Sequence, residues 1–147
     1  MNIEDFSKKY LSRLTSALDR IDYNVVGEII EALEKSVADK SRIFIIGNGG
    51  SSATASHMVN DLGVGLKRRE IINFDIASLN DNVPVVSAIA NDVGYESIFS
   101  MQMKGLLSKN DIIIAISCSG DSPNIVKAVD YAKEIGCTII GLSGFEG

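Results

Sequence analysis

Three serines crowd one short stretch of this chain, Ser117-Cys118-Ser119-Gly120-Asp121-Ser122-Pro123-Asn124. It follows a run of pure strand character, Asp111 to Ile116, and leads into an amphipathic pattern that starts near Pro123. A helix start leaves backbone N–H groups unpaired and carries partial positive charge, so an anion is welcome there. Ser122 is a good N-cap, and Pro123 loses nothing by lacking an N–H at the first helical position. Gly120 lets the backbone take a positive φ or approach a ligand closely. A helix cap alone needs one hydroxyl; three of them at the end of a buried strand favour a phosphate cradle.

A second glycine-rich turn lies upstream, Gly47-Asn48-Gly49-Gly50-Ser51-Ser52, after the apolar run Arg42 to Ile46. It begins like the dinucleotide fingerprint, but Ser52 stands where a third glycine or alanine belongs. Ser51 and Ser52 can instead donate to phosphate or to sugar hydroxyls, and the Asn48 amide both donates and accepts. Downstream, His57 and Asp61 are four residues apart and share a helix face. That spacing suits a metal pair, or an imidazole beside a carboxylate for proton transfer; it equally suits a solvated ion pair. His57 is the chain's single histidine, and two ligands fall short of the three that zinc takes from protein. Asp92, Tyr95 and Glu96 in Asn91-Asp92-Val93-Gly94-Tyr95-Glu96 read as turn residues and first-turn acids, or as reacting groups at a cleft mouth.

The elements that must position these residues follow from periodicity. Ile3, Phe6, Tyr10, Leu14, Leu18 and Ile21 recur at helical spacing, and Val26, Ile29, Ile30 and Leu33 mark a second helix over about Val25 to Val37. This hairpin covers one face of the domain or packs against the same hairpin of another subunit. Strands are predicted at Arg42–Ile46, Ile71–Ile76, Asp111–Ile116 and Cys137–Leu142, with helices at about Ala53–Leu62, Ser97–Leu107 and Pro123–Ile135. Val83 to Ile89 is a short edge element or the beginning of a helix. Uniformly apolar strands alternating with helices make a parallel sheet covered on both faces, with ligands outside the carboxyl ends of its strands. Both glycine- and serine-rich turns fall at that end.

The 147 residues fit one domain, a hairpin over 1–40 and an α/β core over 41–147. A formal net charge of −5 and the absence of a long basic run argue against nucleic-acid binding. No apolar run approaches a bilayer span, and the acidic N-terminus is no signal peptide. Cys118 and Cys137 fit free thiols of a reducing compartment, so the expected location is cytoplasmic.

Three motifs in this order, Gly47-Asn48-Gly49-Gly50-Ser51 with His57 downstream, Ala90 to Glu96, and Ser117 to Asn124, resemble the sedoheptulose-7-phosphate isomerases (phosphoheptose isomerases) of the sugar isomerase, or SIS, fold. The resemblance implies a three-layer, flavodoxin-like parallel sheet behind an N-terminal helical hairpin. It implies a homo-oligomer, tetramer or dimer, with sites between subunits. The implied reaction interconverts sedoheptulose 7-phosphate and D-glycero-D-manno-heptose 7-phosphate through an enediol, for heptose and cell-envelope glycan synthesis. No nucleotide cofactor is expected, whereas zinc is often bound. Carried onto this chain, Ser117, Cys118, Ser119 and Ser122 would hold the phosphate, with Cys118 where the family more often has threonine. Asn48, Gly49, Gly50, Ser51, Asn91 and Asp92 would meet the sugar. His57 and Asp61 would be metal ligands, and His57, Asp61 and Asp92 would carry the proton transfers. Asp61 is one methylene shorter than the family's glutamate. The family also continues past the position of Gly147, through a strand and a helix bearing a glutamine and a second histidine. A truncated isomerase that binds phosphosugar but turns over slowly or not at all is therefore expected. The other reading is a non-catalytic SIS module that binds a phosphosugar or a protein, of the replication-initiator-associating type.

Overall fold

The computed structural model describes residues 2–145. They form two compact units that divide between Glu31 and Ala32. The first holds α1 (Ile3–Leu18) and the beginning of α2 (Tyr23–Asp39). The Asn2 carboxamide caps α1 by accepting from the Glu4 N–H at 3.0 Å, and Glu4 and Asp5 sit in the first turn, where negative charge meets the helix dipole. Asp22 accepts from the Asn24 N–H at 2.9 Å, which starts α2 two residues before the periodicity alone predicts.

The second unit contains four parallel strands, β1 (Arg42–Gly47), β2 (Asp75–Ser78), β3 (Ile112–Ser117) and β4 (Thr138–Ser143), in the spatial order β2-β1-β3-β4. Helices lie on both sides of this sheet, so it is the flavodoxin-like α/β sandwich that the alternation predicts. Side chains alternate across each strand. Phe44, Ile46, Ile113 and Ala115 join the buried cluster with Phe99, Met103, Ile125, Ala128 and Ala132, while Ile43, Ile45, Ile112 and Ile114 are buried on the opposite side. That double burial is why these strands read as continuous apolar runs.

β2 and the segment after Tyr95 differ from their predicted form, and Val83 onward takes the helical one of its two predicted readings. β2 begins at Asp75 rather than Ile71, because the Ile71 N–H still closes the preceding helical turn on Leu66 O and pairing with β1 starts at Asp75 opposite Arg42. Val83–Asp92 is a helix, α5, begun by the Asn82 side chain accepting from the Val85 N–H at 3.3 Å with a proline in the first turn. In place of one helix from Ser97 to Leu107 there is a 3₁₀ turn, Tyr95–Ser97, and a short α6, Ser100–Met103. α7 (Pro123–Ile135) has its predicted bounds, stopped by Gly136 at φ 85°.

At the amino ends of the strands one buried carboxylate joins β1 to the turn before β3. Asp111 accepts from the Arg42 N–H at 2.9 Å, the Ser108 N–H at 2.9 Å and the Arg42 guanidinium at 3.0 Å. Its side chain is 4% exposed, so its desolvation is offset only while all three donors are present. Asp111→Ala should therefore lower stability by about 3 kcal/mol, the scale of breaking a buried pair, read as a fall in the urea midpoint with the slope unchanged.

Candidate functional site

The strand order fixes where a crevice opens. From β1 the chain crosses to β2 on one side, then returns past β1 to β3 on the other, so the loops after β1 and β3 diverge from neighbouring strands. Gly47 pairs with Ile116, so both strands end side by side. The turn Asn48–Ser52 and the loop Cys118–Ser122 consequently flank one opening.

After β1 the chain turns at once into α3 (Gly50–Met58). A Cβ on Gly47 would stand 2.7 Å from both the carbonyl carbon and oxygen of Ser51, so only glycine lets the strand meet the helix this closely. Gly49 takes φ 53° at the N-cap position. From the β2 side, the Asn80 amide donates to Gly47 O at 2.7 Å. From the β3 side comes Asn124, the second residue of α7, which is 2% exposed. Its amide donates to Asn48 Oδ1 at 2.7 Å, and the Asn48 amide donates back to Asn124 Oδ1 at 2.9 Å. The Tyr95 hydroxyl donates to the same Asn48 oxygen at 3.1 Å.

The serine loop is shaped by its own hydroxyls. Buried Ser117 Oγ accepts from the Gly120 N–H at 3.2 Å, and exposed Ser119 Oγ accepts from the Asp121 N–H at 3.3 Å. Gly120 has φ 77°. An oxygen that accepts from the main chain still carries a hydrogen to donate; that of Ser119 is left for a ligand, while that of Ser117 faces Ser122 Oγ. Ser122 occupies the N-cap position of α7 as predicted, but its side chain makes no capping bond. Its oxygen lies 3.5 Å from that of Ser117. Two hydroxyls so close, one not spent on the helix, suit a multivalent oxyanion better than a simple cap.

His57 and Asp61 do meet: Nε2 lies 3.0 Å from Oδ2, with side chains 74% and 59% exposed. Asp61 falls in a π-helical stretch, Val59–Gly65, that continues α3 toward α4 (Leu66–Arg68). Gly63 lets this stretch lie against β2, since a Cβ there would be 2.7 Å from Ile76 Cγ2. Asp92 closes α5 and accepts from the Asn91 amide at 2.7 Å. Neither the His57–Asp61 pair nor the Asn91–Asp92 pair bonds to the serine loop among the described residues. Ser51 and Gly50 lie in the first turn of α3. Exposed Cys118 begins the serine loop. Cys137 lies at the far end of the sheet, where burial, then the nearby Asp111 carboxylate, pushes its thiol pKa up.

Two donors do not make a zinc site, and no group of three His, Cys, Asp or Glu side chains able to hold a metal occurs among the described residues. The residues present thus do not fit a complete zinc centre. Asn124 joins the site although its sequence context assigns it no role; an asparagine directly after a helix-opening proline at a central strand end is the available signal.

This topology, a parallel sheet with a glycine turn and a serine loop at its switch point, defines a doubly wound class of α/β domain. The SIS domain model matches residues 8–144, and the chain belongs to the SIS family. Within it the chain is a member of the phosphoheptose isomerase group. The phosphoheptose isomerase of Trichlorobacter lovleyi is 39% identical over 122 residues, which cover 83% of this chain and 62% of that protein. That of Thermodesulfovibrio yellowstonii is 36% identical over 100% of this chain and 74% of its own length. The solved phosphoheptose isomerase of Neisseria gonorrhoeae superposes with a TM-score of 0.87 at 26% identity, over 100% of this chain and 77% of that one. The chain therefore spans less than two thirds of the T. lovleyi relative.

Gly47→Ala should displace the Asn48–Ser52 turn, because its clash is with backbone rather than with a flexible side chain end. The expected outcome is a loss of about 1–3 kcal/mol in stability together with weakened anion binding, read by denaturation and by calorimetry with inorganic phosphate.

Proposed function

We propose that this chain is the phosphosugar-handling unit of an aldose–ketose isomerase that interconverts sedoheptulose 7-phosphate and D-glycero-D-manno-heptose 7-phosphate. The observation that carries this reading is the Ser117–Ser122 hydroxyl pair, 3.5 Å apart at the start of α7 with Ser122 released from capping. The phosphate sits on Ser117, Ser119 and Ser122 and on the main chain at Cys118, where the helix start complements its charge. Asn48, Gly49, Gly50, Ser51 and Asn91 take the sugar oxygens.

With one end of the substrate held, isomerisation needs a proton moved between adjacent carbons. In the proposal the Asp61 carboxylate removes the proton beside the carbonyl and returns it to the neighbouring carbon. His57, in contact with Asp61, and Asp92 supply and recover the oxygen-bound proton as the enediol forms and collapses. The 3.0 Å contact between imidazole and carboxylate supports this division of labour. His57 and Asp61 would supply only two of the donors a zinc ion takes from protein.

Self-association belongs to the same reading. Phe6, Tyr10, Leu14 and Leu18 form an apolar stripe along α1 and are each more than two fifths exposed, which a homo-oligomer would cover. No helix among the described residues is long and apolar enough to cross a membrane; with two free thiols, a cytoplasmic location is proposed. A non-catalytic phosphosugar-binding role is the second reading, favoured by the exposure of His57 and Asp61.

Calorimetry with sedoheptulose 7-phosphate tests the first claim. Ser122→Ala should weaken binding by about tenfold or more, the scale of a hydrogen bond to a charged group. Asp61→Asn should leave affinity within about threefold while lowering turnover at least about a hundredfold. No binding by the unaltered chain, or full affinity in Ser122→Ala, rejects the reading. Binding with no turnover by the unaltered chain leaves the phosphosugar claim standing and rejects the proton-transfer roles of Asp61, His57 and Asp92 in this chain.

A further inference from the structure

Asn48 stands between the two loops, and its hydrogen-bonding capacity can be counted. A carboxamide has two acceptor sites on oxygen and two N–H donors. Both acceptor sites are filled, by the Asn124 amide at 2.7 Å and the Tyr95 hydroxyl at 3.1 Å. One of its N–H groups is engaged by Asn124 Oδ1 at 2.9 Å. The Ile125 N–H, accepted by Ser122 O at 2.9 Å, also faces Asn124 Oδ1 at 3.1 Å, where an NH2 group would be repelled, and this sets the orientation of Asn124. Tyr95 is held in turn: its turn is tethered to α7 through the Lys127 ammonium, which donates to Ser97 Oγ at 2.9 Å and lies 3.9 Å from the Glu96 carboxylate.

We propose that Asn124 and Tyr95 are positioning residues that lock the Asn48 carboxamide so that it offers a ligand one oriented N–H and no acceptor. A free asparagine could flip and serve donor or acceptor alike; this one can only donate. The moiety it selects is an oxygen that accepts, such as a carbonyl or a developing oxyanion, in preference to a hydroxyl that must donate. A donor held before the ligand arrives needs no reorganisation when charge builds on that oxygen. Asn124 is also the second residue of the helix that opens at the serine loop, so the reciprocal amide pair fixes the spacing between the anion end and the sugar end of the crevice. The inference rests on the phosphosugar reading of that crevice.

The exposed Tyr95 makes a mild test possible, since Tyr95→Phe keeps the ring and removes only the hydroxyl. In the full chain, Tyr95→Phe should weaken sedoheptulose 7-phosphate binding by about three- to tenfold, the effect of one neutral hydrogen bond. Its affinity for inorganic phosphate and its thermal midpoint should stay unchanged, a split that a merely structural role would not produce. Asn124→Ala, which removes the amide pair without adding charge, should weaken the sugar phosphate further, and its side-chain partner Asn48 should show a shifted amide resonance in ¹⁵N spectra. Ser119→Ala serves as the contrast, weakening both ligands together. Equal affinities for sugar phosphate in the original chain and in Tyr95→Phe overturn the inference while leaving the site reading standing. Failure of the original chain to bind either ligand overturns both.

Discussion

Everything that gives this chain a site depends on β1 and β3 lying side by side in parallel. Their pairing, Ile43 on Ile112 through Gly47 on Ile116, buries both faces of both strands and brings their carboxyl ends to one level. Because the connections leaving those ends run to opposite sides, the backbone must separate there. A gap forms without any side chain being sacrificed to make it. Two turns separated by some seventy residues of sequence thus become the walls of one opening.

What keeps that opening in shape is polar, and it is divided between the two ends of the sheet. At the amino ends Asp111 gathers the Arg42 N–H, the Arg42 guanidinium and the Ser108 N–H. At the carboxyl ends neutral amides do the equivalent work: Asn80 on Gly47 O, and Asn124 on Asn48. The distinction has a physical basis. A carboxylate tying the loops beside the proposed phosphate site would repel an anion, whereas a carboxamide locks the backbone and adds no charge. The buried aspartate lies at the opposite end of the sheet from the serine loop.

The His57–Asp61 pair is organised differently. It lies on one continuous helical segment and is held by local spacing rather than by the sheet. The π-helical stretch beside it changes the phase of the helix, a feature that recurs at functional sites. Gly63 allows that stretch to rest on Ile76 of β2, which secures the pair's backbone while its side chains face solvent. The anion end of the proposed site is thus built by tertiary packing, and the proton-transfer end by a local helix.

The residues alone determined the alternation of strand and helix, the buried parallel strands, the bounds of α7 and the candidate anion loop, because each is written in local periodicity and turn chemistry. Apolar runs such as Ile112 to Ile116 leave a strand no solvated face, and Pro123 with Gly136 brackets a helix whatever surrounds it. Only the tertiary structure decided that β2 starts at Asp75, since a strand begins where a partner offers its hydrogen bonds. It decided too that Ser122 leaves its cap unmade, and that Asn124 and Tyr95 converge on Asn48. Those contacts join positions up to 76 residues apart, and no local pattern encodes which distant amide a carboxamide will meet.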